Sequence, residues 1–133
     1  MTARGLHAAG GTAPGAWSPP RQPRGGSHIR ESALQQTVLE LCRWRGLLAY
    51  HTRDSRGSDP GFPDLVVTGS RGVLFRELKS DTGKLSKAQG VWRDGLVEAG
   101  ADWGVWTPAD WESGRIVTEL RAIALTVRGG LAP

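Results

Sequence analysis

The sequence predicts an α/β domain, a small mixed β-sheet flanked by helices, preceded by a disordered N-terminal tail. Three observations carry that expectation. The apolar runs Leu65-Val66-Val67-Thr68 and Val73-Leu74-Phe75 flank Gly69-Ser70-Arg71-Gly72 and read as a β-hairpin. Segments with apolar residues at helical spacing lie on both sides of that hairpin. Both faces of the hairpin strands carry apolar residues, so the sheet is expected to be covered on both sides, as in α/β layering.

The 133 residues suffice for one domain with a modest core. No apolar run approaches the roughly 20 residues that span a bilayer, and the N-terminus has no signal-peptide pattern. A single cysteine, Cys42, excludes an internal disulfide and a cysteine-rich zinc site. His7, His28 and His51 are too scattered for a zinc cluster. The expected compartment is a reducing cytoplasm, that of a bacterium or a phage-infected host cell, with no membrane partner.

The formal net charge of +4 is unevenly placed. Residues 1–30 hold Arg4, Arg21, Arg24 and Arg30 and no acid, whereas the chain from Glu31 onward balances thirteen basic against thirteen acidic residues. The basic excess therefore belongs to the tail, which weakens a broad basic patch as the basis for binding nucleic acid. Lysine occurs only at Lys79, Lys84 and Lys87, beside fourteen arginines, so the ammonium groups are confined to one short segment.

Residues 1–28 are rich in Gly, Pro, Ala and Ser without apolar periodicity and are expected to be a disordered tail. The folded domain is expected over residues 29–127, with a C-terminal tail at 128–133. A first helix is expected from about Ile29 to Arg45, ending at Gly46. Leu34, Val38, Leu41 and Leu48, with Thr37 and Cys42, give its apolar spacing. Ser27 or Ser32 would cap it, and Glu31 in its first turn suits the helix dipole. Leu47 to Thr52 is a first strand, followed by a polar loop from Arg53 to Gly61. After the hairpin, Ser86 is a good N-cap for a helix from about Lys87 to Ala99, ended by Gly100, with Trp92, Leu96 and Val97 on its apolar side. Ala101 to Trp106 is a further strand, Pro108 to Trp111 a short helical turn, and Arg115 to Val127 a last helix. Arg76 breaks the apolar pattern of its strand and is expected to snorkel at an edge.

The hairpin also concentrates chemistry. Centring the turn on Ser70-Arg71 opposes Gly69 to Gly72, Val66 to Phe75 and Asp64 to Glu77. Opposed residues share a face, with Cβ atoms roughly 5 Å apart. Lys79 shares the face of Glu77, and Leu78 points the other way. Two carboxylates at hydrogen-bonding distance repel, and a divalent cation is the commonest reason for them to stand together. Hard carboxylate oxygens suit Mg²⁺ or Mn²⁺. A neighbouring lysine can orient a water or hold charge on a phosphate oxygen, which is the chemistry of phosphodiester hydrolysis. The same residues also admit a structural reading, with Glu77 and Lys79 as an ion pair and Asp64 simply starting a strand after Pro63.

Pro63-Asp64, Glu77-Leu78-Lys79 and Gln89, in that order, resemble the PD-(D/E)xK nuclease superfamily. Within it the sequence is similar to the VRR-NUC family (virus-type replication-repair nucleases) in its small stand-alone form. The supporting stretches are Glu31 with Gln35, Tyr50 to Arg56, Pro60 to Leu65, Thr82 to Ser86 and Trp106 to Trp111. The resemblance implies a restriction-endonuclease-like fold and DNA cleavage that depends on Mg²⁺ or Mn²⁺. It makes Glu31, Asp64, Glu77 and the Leu78 backbone carbonyl the expected metal ligands. Lys79 becomes the expected catalytic lysine, acting with Asp64 and Glu77, and Gln89 stands beside it from the second helix. His51, Arg53, Arg56, Lys84 and Lys87 are the expected nucleic-acid contacts. Branched or junction DNA in replication and repair is the expected substrate, and a homodimer would place two sites across a two-fold axis. The competing expectation is a non-catalytic nucleic-acid-binding or assembly module with the same fold.

Overall fold

The computed structural model describes residues 31–53, 57 and 59–124. The expected tails at 1–28 and 128–133 lie outside the described residues, as do the capping role of Ser27 and the end of the last helix beyond Ala124.

Among the described residues the order is α1 (Glu31–Trp44), β1 (Leu48–His51), β2 (Leu65–Gly69), β3 (Gly72–Leu78), α2 (Lys87–Glu98), β4 (Asp102–Trp106), α3 (Pro108–Glu112) and α4 (Arg115–Ala124). The four strands form one mixed sheet in the order β1-β2-β3-β4. β1, β2 and β3 run antiparallel in turn, and β4 returns parallel to β3 through α2. A parallel neighbour needs such a crossover, and α2 supplies it. The hairpin has the expected register: Gly69 faces Gly72, Val66 faces Phe75 and Leu65 faces Arg76.

Leu65, Val67, Leu74 and Leu78 project from one face of the sheet into the core. They meet Leu34, Val38, Leu41 and Cys42 of α1 and Ile116, Leu120 and Ile123 of α4, all buried. Ser32 lies inside α1 rather than at its cap. Leu48, grouped by spacing with the α1 residues, sits instead on β1 and is 76% exposed; Leu39 is buried on the helix in its place.

The opposite face departs from the expectation of full cover. α2 packs against β4, and Trp92 meets Phe62, which in turn meets Phe75 edge-on. No residue of α2 is buried, and Val97, assigned to its apolar side, points to solvent. Leu48, Tyr50 and Val73 on the β1–β3 side stay exposed. Among the described residues three helices crowd one face and one reaches the other, where α2 covers the β3–β4 half.

Arg76 is not at an edge. It is 3% exposed on the core face of β3. Its guanidinium donates to Glu119 on α4, to Asp102 and to the carbonyls of Phe75 and Asp102, and it stacks over Trp106. A buried arginine needs this degree of pairing. Gly104 stands opposite Arg76 on β4, and a Cβ there would lie 3.2 Å from the guanidinium carbon, so glycine leaves the room that the cation occupies.

Candidate active site

The site forms where the β2–β3 ladder ends. Beyond the Leu65–Arg76 pair the next opposed residues are Asp64 and Glu77, and there side chains replace backbone pairing. The Leu78 N–H donates to Asp64 Oδ2 at 2.9 Å. The Thr52 N–H donates to the Asp64 carbonyl, which continues β1 past its last strand residue and holds the Pro63-Asp64 corner. The Asp64 and Glu77 carboxyl groups lie within hydrogen-bonding reach of each other. The register deduced from the hairpin therefore brings the two acids together on one face.

Glu77 is 2% exposed. Burial, then contact with the Asp64 carboxyl and its charge, pushes its carboxyl up to about 9, with Lys79 opposing the rise and Glu31 adding to it. Burial beside a second carboxyl thus disfavours the charged form of Glu77.

The other expected residues take varied places. Lys79 follows Glu77 on the same strand edge, and its N–H donates to the Trp106 carbonyl, so β4 fixes the backbone that carries it. Gln89 on α2 donates through Nε2 to Glu77 Oε2 at 2.7 Å. Glu31, in the first turn of α1, accepts from the Ser80 N–H at 3.3 Å and lies near enough to act on Glu77 through space. Leu78 is buried, and its N–H, rather than its carbonyl, has its partner in Asp64. Among the described residues, no group of three or more His, Cys, Asp or Glu side chains gathers tightly enough to enclose an ion. Asp64 and Glu77 form the close pair, and Glu31 stands beyond it.

His51 is half-buried on β1, 3.4 Å from Gln35 of α1, one turn after Glu31. Arg53, Lys84 and Lys87 are exposed, and Arg56 lies outside the described residues. A cleft of about 300 Å³ opens beside Asp64 and Gln89, lined also by Thr52, Asp59, Phe62 and Ser86. Sequence reasoning did not assign Ser86, Ser80 or Thr52 to the site. Ser86 left a signal of its own, as the N-cap three residues before Gln89.

Each acid has one oxygen held by a donor: Asp64 Oδ2 by Leu78, Glu77 Oε2 by Gln89 and Glu31 Oε2 by Ser80. An acidic pair with a lysine alongside and a cleft beside it fits a hard divalent cation and an anionic substrate.

A solved structure described as a VRR_NUC domain protein matches with a TM-score of 0.54 at 18% identity, over 74% of this chain and 93% of that one, which speaks for the fold. No curated protein matches the sequence closely enough to count as a relative. The sequence profile of the VRR-NUC domain matches residues 24–109, well over half of the chain and the whole span from Glu31 to Gln89. This chain therefore belongs to the VRR-NUC family of nuclease domains.

Proposed function

We propose that the protein is a divalent-metal-dependent endonuclease that hydrolyses phosphodiester bonds in DNA, acting on branched or junction structures in replication or repair. The observation that carries this reading is the Asp64–Glu77 pair at the end of the hairpin, with Lys79 on the same strand edge. A fold alone needs no such pair, since its repulsion has to be relieved by a proton or a cation.

Glu31, Asp64, Glu77 and the Leu78 carbonyl would hold the cation. Their hard carboxylate and carbonyl oxygens suit Mg²⁺ or Mn²⁺, which take a few carboxylates and keep several waters. When bound, such an ion supplies the positive charge that polarises a phosphodiester. Lys79 would orient the attacking water or hold charge on a phosphate oxygen. The water oxygen bonds to phosphorus as the bond to the leaving sugar oxygen breaks in line. Gln89 keeps Glu77 turned toward Asp64. Arg53, Arg56, Lys84, Lys87 and His51 would steady the flanking strand, of which Arg53, Lys84 and Lys87 are exposed and free to reach phosphates. A homodimer would present two such sites to the two strands of a junction.

The test is cleavage of branched, flapped and linear DNA with Mg²⁺, Mn²⁺ or EDTA. Wild type is expected to cut only with metal and to prefer the branched forms. Asp64→Ala and Lys79→Ala are expected to bind DNA as wild type does and to cut none. Equal cutting by wild type and both variants would mark a contaminating nuclease and sink the proposal. Binding without cutting in any metal would leave a non-catalytic module.

A further inference from the structure

We propose that Ser86 is a positioning residue for the acidic pair, acting on Glu77 through Gln89; this rests on the nuclease reading of that pair. Ser86 is the N-cap of α2. Its Oγ accepts from the Gln89 N–H at 3.1 Å, and its own N–H donates to Gln89 Oε1 at 2.8 Å, which closes a capping box. In most capping boxes a Glu serves at the third position as well as a Gln, because only an acceptor is needed there. Here the far end of the same carboxamide donates to Glu77. Of Gln and an ionised Glu, only Gln accepts at one end and donates at the other. With the oxygen committed to the Ser86 N–H, the nitrogen must face the carboxyl. The Ser86 N–H thus decides which atom Gln89 presents to Glu77, and the Ser86 hydroxyl holds the turn on which both groups sit.

Two further features make that cap matter. An uncapped helix start leaves its first N–H groups without partners, and the first turn frays. Packing against β4 and Phe62 holds α2 through half-buried residues only, so its first turn leans on the cap. The segment leading into Asp64 also rests on this turn. Gly61 has φ +91°, and a Cβ there would lie 2.3 Å from the Ala88 carbonyl oxygen and 2.8 Å from the Gln89 nitrogen. The first turn of α2 is therefore the common seat of both acids, reaching Glu77 through Gln89 and Asp64 through Gly61.

The test compares Ser86→Ala, which lacks the accepting hydroxyl, with Ser86→Thr, which keeps one. The Mn²⁺ concentration at half-maximal thermal stabilisation, and at half-maximal cleavage, is expected to rise at least about five-fold in Ser86→Ala, the factor equivalent to a typical lost cap. Ser86→Thr is expected to stay within about two-fold of wild type, because threonine also caps. Gln89→Ala should shift the midpoint at least as far as Ser86→Ala, and the double variant no further than Gln89→Ala, as residues acting in series do. Without metal or DNA, the Gln89 side-chain amide resonances should be displaced by the bond to Glu77 in wild type and Ser86→Thr, and collapse to solvent-exposed positions in Ser86→Ala. A wild-type midpoint in Ser86→Ala, or single-variant effects that add in the double variant, would overturn the proposal. If wild type cuts no DNA in any metal, the nuclease reading fails, and the amide resonances still decide whether Ser86 holds Gln89 against Glu77.

Discussion

Replacing Glu77 by glutamine separates the stability of the site from its function. In metal-free protein, burial and the adjoining Asp64 carboxyl push Glu77 up to about 9, against an ordinary value of 4.5. Between those two pH values the folded protein keeps a proton that the unfolded chain has released. Stability therefore falls as pH rises through this window, by about 1.4 kcal/mol per pH unit for one group. Below pH 4.5 the contribution is fully present, and toward pH 9 it is lost. By pH 7.5 the loss amounts to about 4 kcal/mol in the limit of a single isolated titration. The carboxamide of Glu77→Gln is uncharged at every pH and escapes this loss, while it still accepts from Gln89 and gains a donor toward Asp64. Urea unfolding in EDTA should find Glu77→Gln about 2–4 kcal/mol more stable than wild type near pH 7.5, with the gap closing near pH 5. Adding Mn²⁺ should reverse the order, because only wild type gains stability by binding the ion, and Glu77→Gln should cut no DNA. A gap that stays constant from pH 5 to pH 8 in EDTA would refute the reasoning, since it would mean that Glu77 ionises alike in the folded and unfolded chains.

Four further outcomes are expected. Glu119→Ala removes the partner of Arg76 Nε and Nη2 and of Trp106 Nε1, and should cost about 3 kcal/mol in urea unfolding by leaving a buried cation underpaired. Asp102→Ala should cost about 1 kcal/mol or less in the same assay, because the Asp102 side chain is 61% exposed. Gly61→Ala should destabilise the protein by at least about 1 kcal/mol through strain at φ +91° and collision with the Ala88 carbonyl, and should raise the Mn²⁺ midpoint, read by thermal shift. Burial pushes the Cys42 thiol up to about 11, so Ellman's reagent at pH 8 should label it only after unfolding in urea.

The parts legible in the sequence are those set by short-range rules. The two-residue turn between Gly69 and Gly72 fixes the register of β2 and β3, and the opposition of Asp64 and Glu77 follows by counting outward. Ser86 announces the start of α2, and the left-handed glycines Gly46 and Gly100 stand just past the ends of α1 and α2, where they were expected. Arg76 was not legible, because its partners come from elements that the pattern does not order. Asp102 reaches it only once β4 aligns parallel to β3, and Glu119 lies 43 residues further along the chain. The open half of the sheet was hidden for a related reason. Apolar residues on both faces of a strand do not say how many helices each face receives. Leu48 and Tyr50 thus face solvent on strands whose composition suggested cover.

The same division runs through the site. Asp64, Glu77 and Lys79 belong to one hairpin, and local counting finds them. The groups that aim the acids are less local: the Leu78 N–H of the same hairpin holds Asp64, but Gln89 on α2 holds Glu77 and the Ser80 N–H holds Glu31 of α1. Each of these donors takes one oxygen of its carboxylate and so divides its two oxygens. That division cannot be read from spacing, because it depends on which end of the Gln89 carboxamide faces the pair. The Ser86 backbone N–H, which lies outside the hairpin, settles the choice by taking the carboxamide oxygen. The acids therefore supply the charge of the site, and the start of α2 supplies its direction. Substitutions in that first turn should alter how tightly the pair takes a cation before they alter whether the domain folds, since the buried core is built by α1, α4 and the other face of the sheet and takes no residue from α2.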